Sequence, residues 1–138
     1  MPYAIMRFKK KKAGSVGSCY KHNERLKEAY KSNPDIDPAK KHLNYHLVEP
    51  RCNYRRAVSQ LIQEAGCKTR KDSTVMVETV ITASPEFMNI LKPAVQREYF
   101  QRAYEFMREK IGEENIIAAT VHMDEKTPHI GASHKTVF

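Results

Sequence analysis

Cysteine is scarce in this chain. The three residues, Cys19, Cys52 and Cys67, are far apart, odd in number and form no CxxC pair, so no disulfide framework is implied. No apolar run approaches the length of a membrane span. The first such run, Tyr3 to Phe8, is too short for a signal-peptide core and is followed at once by Lys9 to Lys12. Internal repeats and low-complexity segments are absent. Acidic charge is also short, with 16 Asp and Glu against 24 Lys and Arg. Disulfide scaffolds, membrane spans and leader segments are thereby set aside, and a soluble protein of the cytoplasm is expected.

The 138 residues suffice for one domain with a real core, not for two. A hydrophobic content of 41% is ordinary for a globular fold and argues against disorder. The net charge of +8 and pI near 9.4 favour phosphate-bearing partners, through counterion release and steering.

Tyr3 to Phe8 reads as a first strand, ended by the lysine run as a solvated turn. A helix is expected from about Ser15–Ser18 to Ser32, with Cys19, Asn23, Leu26 and Tyr30 as its inward stripe and Val16 at the margin. Asn33-Pro34-Asp35 would stop it. His42 to Leu47 alternates, with Leu43, Tyr45 and Leu47 on one side, as in an extended segment. Tyr54 to Ala65 has helical spacing at Val58, Leu61, Ile62 and Ala65, with Gly66 as C-cap. Val75 to Thr82 is β-branched and apolar, a central strand. Ser84-Pro85 starts a short helix. Lys92-Pro93 ends it and begins a longer one, whose stripe is Val95, Tyr99, Ala103, Phe106, Met107 and Ile111, closed by Gly112. The aromatics of that stripe read as core rather than as base-stacking platforms. The order β, α, β, α, β, α, β predicts an α+β fold with helices covering a small sheet.

The chemistry concentrates in His122-Met123-Asp124-Glu125-Lys126-Thr127-Pro128-His129, where two imidazoles and two carboxylates share eight residues. Ile116 to Asp124 alternates as a strand: Ile117, Ala119, Val121 and Met123 point one way, Thr120, His122 and Asp124 the other, onto an open face. Thr127-Pro128 turns the chain and brings His129 back. Paired imidazoles with adjacent carboxylates suit a divalent metal. Taken alone, two such histidines are as compatible with hydrogen-bonded surface residues.

Three segments, His22-Asn23-Glu24-Arg25, His42-Leu43-Asn44-Tyr45-His46-Leu47 and His122-x-Asp124-Glu125-x-Thr127-Pro128-His129, resemble in order and separation the plasmid mobilisation relaxases of the Mob/Pre (plasmid recombination) family. The opening Ala13-Gly14-Ser15-Val16-Gly17 is similar too, and the likeness covers essentially the whole chain. The resemblance implies a histidine-hydrophobe-histidine endonuclease fold, a central antiparallel sheet carrying Mn²⁺ or Mg²⁺. It implies nicking of one strand at an origin of transfer, whose hairpin and adjacent single strand are the DNA partner, with covalent attachment to the new 5′ end. On this reading His22 is the nucleophile and Glu125 the motif carboxylate, while His122 and His129 are metal ligands. Arg25, Asn44 and Tyr45 fall near the DNA, and Lys10 and Lys11 in the lysine run add non-specific grip. Glu125 or Asp124 could accept the second ring proton of His22, and Tyr20 or Tyr45 would be the fallback nucleophile.

Duller readings stand beside these. His22 could be an amphipathic border residue, Arg25 could pair with Glu24, Glu28 or a neighbour on the sheet, Asn44 could pin a turn and Tyr45 could be core. His42 and His46 are not expected as ligands. Two departures from the family pattern matter more. Where the motif continues His-x-His, this chain has His129-Ile130-Gly131, so a third imidazole is missing, and His134 has the wrong parity to replace it. The chain also reaches Phe138 soon after the motif, so residues 1–138 are expected to be a single nicking domain lacking its C-terminal part. Metal affinity should be weakened or lost if Gly131 is genuine, leaving a DNA-binding relaxase remnant as the alternative. A metal enzyme acting on a small phosphate ester would explain the histidines but not the basic surface.

Overall fold

The structure, a computed structural model, describes residues 2–27 and 35–135. Five antiparallel strands form one sheet in the order β1-β3-β5-β4-β2. They are β1 (Ala4–Lys12), β2 (Tyr45–Val48), β3 (Thr74–Ala83), β4 (Ile116–His122) and β5 (His129–Lys135). Four helices cover it: α1 (Ala13–Asn23), α2 (Tyr54–Ala65), α3 (Pro85–Ile90) and α4 (Pro93–Ile111). The α+β fold class, a small antiparallel sheet with flanking helices, is as expected.

Both faces of the sheet are buried. On one, Phe100, Tyr104 and Met107 of α4 and Met88 of α3 meet Ile81, Ala119, Val121, Ile130 and Ala132. On the other, Val16 and Cys19 of α1 and Tyr54 and Val58 of α2 meet Met76, Ile117 and Ala118. β4 is therefore buried along its whole length, and the open face expected for His122 and Asp124 is roofed by α1. A register irregularity between Ile116 and Ala118 breaks strict alternation and turns Ile117 away from Ala119 and Val121.

α2 spans the expected residues and ends at the expected Gly66; its N-cap, Asn53, was not read from the sequence. The Asn53 side chain accepts the Arg56 amide at 2.9 Å, and Gly66 adopts φ 66°, the left-handed conformation that only glycine takes without strain. α4 begins at Pro93 as expected, but Val95 and Phe106 are exposed and the buried stripe is Phe100, Tyr104 and Met107. Three other expectations are corrected. The lysine run is not a turn: Lys9, Lys10 and Lys11 continue β1 opposite Glu78, Val77 and Met76. α1 ends at Asn23, and Leu26 lies beyond it, exposed; Tyr30, Ser32, Asn33 and Pro34 fall outside the described residues. His42 and Leu43 close a 3-10 helix, Pro38–Leu43, and only Tyr45–Val48 is strand.

The strand the sequence reading did not assign, β5, is the middle of the sheet. It carries Gly131, two serine-sized residues and two histidines in seven positions, too little apolar content to stand out. Among the described residues no helix is long and apolar enough to cross a membrane.

Candidate metal centre

His122 ends β4 and His129 begins β5, and the sheet register pairs them directly. Residues opposite one another share a face, so the rings lie 5.2 Å apart between centroids. The connection between the strands brings Glu125 back over them. One ligand atom each from His122, Glu125 and His129 falls within 4.8 Å of the others.

This connection is held from four sides. The Met123 amide donates to Asn44 Oδ1 at 2.6 Å, the Asp37 amide donates to the Asp124 carbonyl at 2.7 Å, and Thr82 Oγ1 donates to the Pro128 carbonyl at 2.6 Å. The fourth tie is Arg25, whose side chain is 4% exposed. Its Nε and Nη2 donate to Asp124 at 2.7 and 2.9 Å, Nη2 also reaches Glu125 at 2.9 Å, and Nη1 donates to the His22 carbonyl at 2.6 Å. Arg25 sits just past the end of α1 at φ 53°, a left-handed residue that turns the chain downward into the sheet.

Hydrogen bonding sets the imidazole tautomers. His122 Nε2 lies 2.9 Å from the Asn23 carbonyl, an acceptor, so Nε2 carries the proton and Nδ1 the lone pair. Nδ1 is buried with no hydrogen-bond partner among the described residues. Burial first, then the Arg25 charge, lowers the His122 pKa to about 4, so the ring is neutral near neutral pH. His129 Nδ1 donates to the Thr127 carbonyl at 3.0 Å, which leaves Nε2 facing Glu125 Oε2 at 3.2 Å. Burial opposes protonation of His129, but Glu125 and the Thr127 carbonyl outweigh it and raise its pKa. Each ring thus has one nitrogen fixed by a backbone carbonyl and the other turned toward Glu125 or left unpaired. That is the arrangement by which proteins orient histidine ligands, and the donors present fit a divalent metal.

Gly131 lies on the same face, opposite Thr120 of β4 and Val80 of β3. A Cβ there would stand 3.9 Å from Cε1 and 4.0 Å from Nδ1 of His122. The missing side chain is therefore missing beside the unpaired nitrogen. His134 faces the other way, with Nε2 3.5 Å from Thr79 Oγ1, in keeping with its expected parity.

His22, in the last turn of α1, is half-buried. Burial and the Arg25 charge lower its pKa, while Glu125 and Glu78 act in the opposite sense. The imidazole is thus neutral near neutral pH and lies within the electrostatic reach of the metal centre. Glu78 was not singled out in the sequence. Its signal was an acidic residue inside the β-branched run Val75 to Ile81. It accepts the Cys19 thiol proton at 2.6 Å beneath α1, and burial followed by the Glu78 charge pushes that thiol upward.

Several residues expected near the DNA are engaged within the protein. The Arg25 fork is committed to Asp124, Glu125 and the His22 carbonyl, a clamp rather than a phosphate fork. Asn44 braces the site connection. Tyr45 is opposite Val121, on the face away from His122, with the Arg97 guanidinium 4.4 Å above its ring. Lys11 shares the site's face with Lys9 and Glu78, whereas Lys10 points to the other. His46 pairs with Glu24 at 2.8 Å.

A five-stranded antiparallel sheet with two histidines at the junction of adjacent strands defines a relaxase-type fold. The solved MobM relaxase domain, Mn-bound and in complex with plasmid pMV158 oriT DNA, superposes with a TM-score of 0.88 at 35% identity, over 96% of this chain and 69% of that one. A second MobM structure with Mn and the same plasmid's oriT DNA gives a TM-score of 0.85 at 34% identity, with the same shares covered. The family model for the plasmid recombination enzyme matches residues 1–136, and the chain belongs to that family. Relatives include plasmid recombination enzymes from a Bacillus species, 39% identical over 94% of this chain and 32% of that protein. Another from Streptococcus agalactiae is 37% identical over 94% and 27%. The chain spans about a third of the length of these relatives.

Proposed function

We propose that this chain nicks one strand of plasmid DNA at an origin of transfer, in the cytoplasm, through a covalent histidine–5′-phosphate intermediate. The observation that carries the reading is the junction of His122, Glu125 and His129 beneath the helix that bears His22, in a chain whose solved relatives hold Mn and oriT DNA. His122 Nδ1, His129 Nε2 and Glu125 would hold Mn²⁺ or Mg²⁺. When bound, such a cation neutralises the phosphate oxygens and aligns the diester for in-line attack.

His22 attacks the phosphorus as neutral imidazole. The N–P bond forms, the bond from phosphorus to the 3′ oxygen breaks, and the 3′ oxygen leaves and takes up a proton from solvent. Positive charge grows on the attacking ring as the bond forms, and the carboxylates whose field reaches it, Glu125 and Glu78, stabilise that charge. Glu125 thus serves both the donor set and the nucleophile. Arg25 holds both carboxylates, but of the two it is Glu125 whose charge acts on the His22 ring, which makes it the better placed partner. The test is a denaturing gel of protein incubated with labelled origin DNA and Mn²⁺. A protein–DNA adduct present in the native chain and absent in His22→Ala, with DNA binding retained, is expected; an adduct that persists in His22→Ala removes His22 as nucleophile.

Gly131 supports a second reading, a relaxase relative that binds origin DNA without cutting it. Calorimetric titration of Mn²⁺ decides between the two. Binding that is lost in His122→Ala/His129→Ala favours nicking, and no binding by the native chain favours the DNA-binding module.

A further inference from the structure

Two cavities flank the Arg55 side chain along the outer side of α1. One, of about 380 Å³, is lined by Gly17, Ser18, Lys21, Lys27 and Arg55. The other, of about 660 Å³, is lined by Lys12, Gly14, Ser15, Arg55 and Lys71. Together they form a groove between α1 and α2 carrying five cationic side chains, and among the described residues no acidic side chain lines either part. A third cavity, on the far side of α2, offers the contrast: it is lined by Glu49, Glu64, Glu113 and Glu114, with Arg51 beside them. Cations thus predominate on one side of α2 and carboxylates on the other.

The floor of the groove is cleared for a close approach. Gly14, Gly17 and Lys21 lie on one face of α1, at helical spacing. A Cβ at Gly14 would meet nothing within 4 Å, and one at Gly17 would meet only the Arg55 guanidinium, at 3.2–3.6 Å. Arg55 therefore lies across the helix where a larger residue would displace it. Lys21 ends this face one residue before His22. Two rings, Tyr20 and Tyr54, also line the first cavity; Tyr54 is buried and packs edge-to-face on Tyr20 at 4.9 Å. The groove thus offers cations and hydroxyls to phosphates, and its two rings are engaged with each other.

We infer that the α1–α2 groove is a second DNA surface, a track for the phosphodiester backbone of the single strand that leads to His22, gripped by Lys12, Arg55, Lys71 and Lys21 without reading bases. The inference rests on the nicking reading above and adds the path the strand takes. The gripping surface runs along the outer side of α1, and the metal centre lies beneath the helix's C-terminal end, whose last turn carries Lys21 and His22.

Fluorescence anisotropy of a fluorescein-labelled oligodeoxythymidylate, titrated with the full chain over a range of salt, tests it. Removing both side chains in Arg55→Ala/Lys71→Ala should weaken binding and make the slope of log K against log salt shallower by about 1.4, from roughly 0.7 per single-strand phosphate contact. Lys110→Ala, on the helix covering the opposite face of the sheet, should leave slope and affinity unchanged. Gly14→Glu places an anion in open space at the first turn of a helix, where it also favours helix stability, so it should weaken DNA binding while keeping the fold. Calorimetric Mn²⁺ binding should be the same in all three variants. Native affinity and slope in Arg55→Ala/Lys71→Ala, or native affinity in Gly14→Glu should the double variant fail to fold, would overturn the groove and leave the nicking reading standing. No oligonucleotide binding by the native chain would overturn both.

Discussion

Arg25 shows how one side chain can join the nucleophile's helix to the metal centre. It is buried, it meets both motif carboxylates, and it holds the His22 carbonyl. Removing it strands Asp124, itself 1% exposed, without its counter-charge. Arg25→Ala should therefore cost about 3–5 kcal/mol, read by urea denaturation. The same pair sets an acid limit. Burial alone would raise the Asp124 carboxyl, but the Arg25 guanidinium and the Asn44 amide hold it below its ordinary value. A depressed carboxylate contributes stability that is present above its unfolded pKa and fades as pH falls through the folded one. Native stability should thus drop below about pH 4, and Arg25→Ala should lose much of that dependence. Gly131 invites the opposite kind of change. A side chain there meets only ordinary contacts with the His122 ring, so Gly131→His should fold and bind Mn²⁺ more tightly in calorimetry, with an imidazole now beside the unpaired Nδ1. The turn at Thr127-Pro128 was enough to bring His129 back towards His122, and the family resemblance flagged Gly131. Neither could separate Asp124 from Glu125, because their division of labour depends on an arginine 99 residues earlier in the chain.

At the scale of elements, the helices were more legible than the strands. α2 and α4 announce themselves through Gly66, Pro93 and Gly112, whose effects are local. The face of α4 was misjudged because aromatic content on both sides, Tyr99 with Phe106 against Phe100 with Tyr104, leaves two stripes of similar hydrophobicity, and only the sheet chooses between them. Phe100, fully buried, is on the chosen stripe, so Phe100→Ala should cost about 3–5 kcal/mol in chemical denaturation. Phe106→Ala, with its ring 47% exposed, should change stability far less. The misses among the strands, the lysine half of β1 and the whole of β5, have a complementary reason. Four lysines in β1 and the small, polar residues of β5 carry little strand propensity, and both are strands because β3 pairs with them on either side. Tertiary pairing overrode local preference. The cost for the reading was the central strand, and with it the neighbours of Gly131.

The whole molecule separates its two tasks in space. The metal donors lie at one end of β4 and β5, buried or half-buried, while β1 and the groove between α1 and α2 carry rows of cations. Binding to a polyanion depends on the second set and is set by counterion release. Strand cleavage depends on the first, because the donors' cation supplies the charge neutralisation at the diester. The two should respond to different treatments. Raising salt should lower DNA affinity steeply in an anisotropy titration, with or without a chelator. EDTA should abolish adduct formation on origin DNA and leave affinity at a given salt concentration nearly unchanged. If affinity instead collapses with EDTA while the fold, followed by circular dichroism, is intact, then the metal itself bridges protein and DNA and the division is wrong. A net charge of +8 in a chain this short makes the first arm of the test sensitive, since few contacts are needed for a measurable slope.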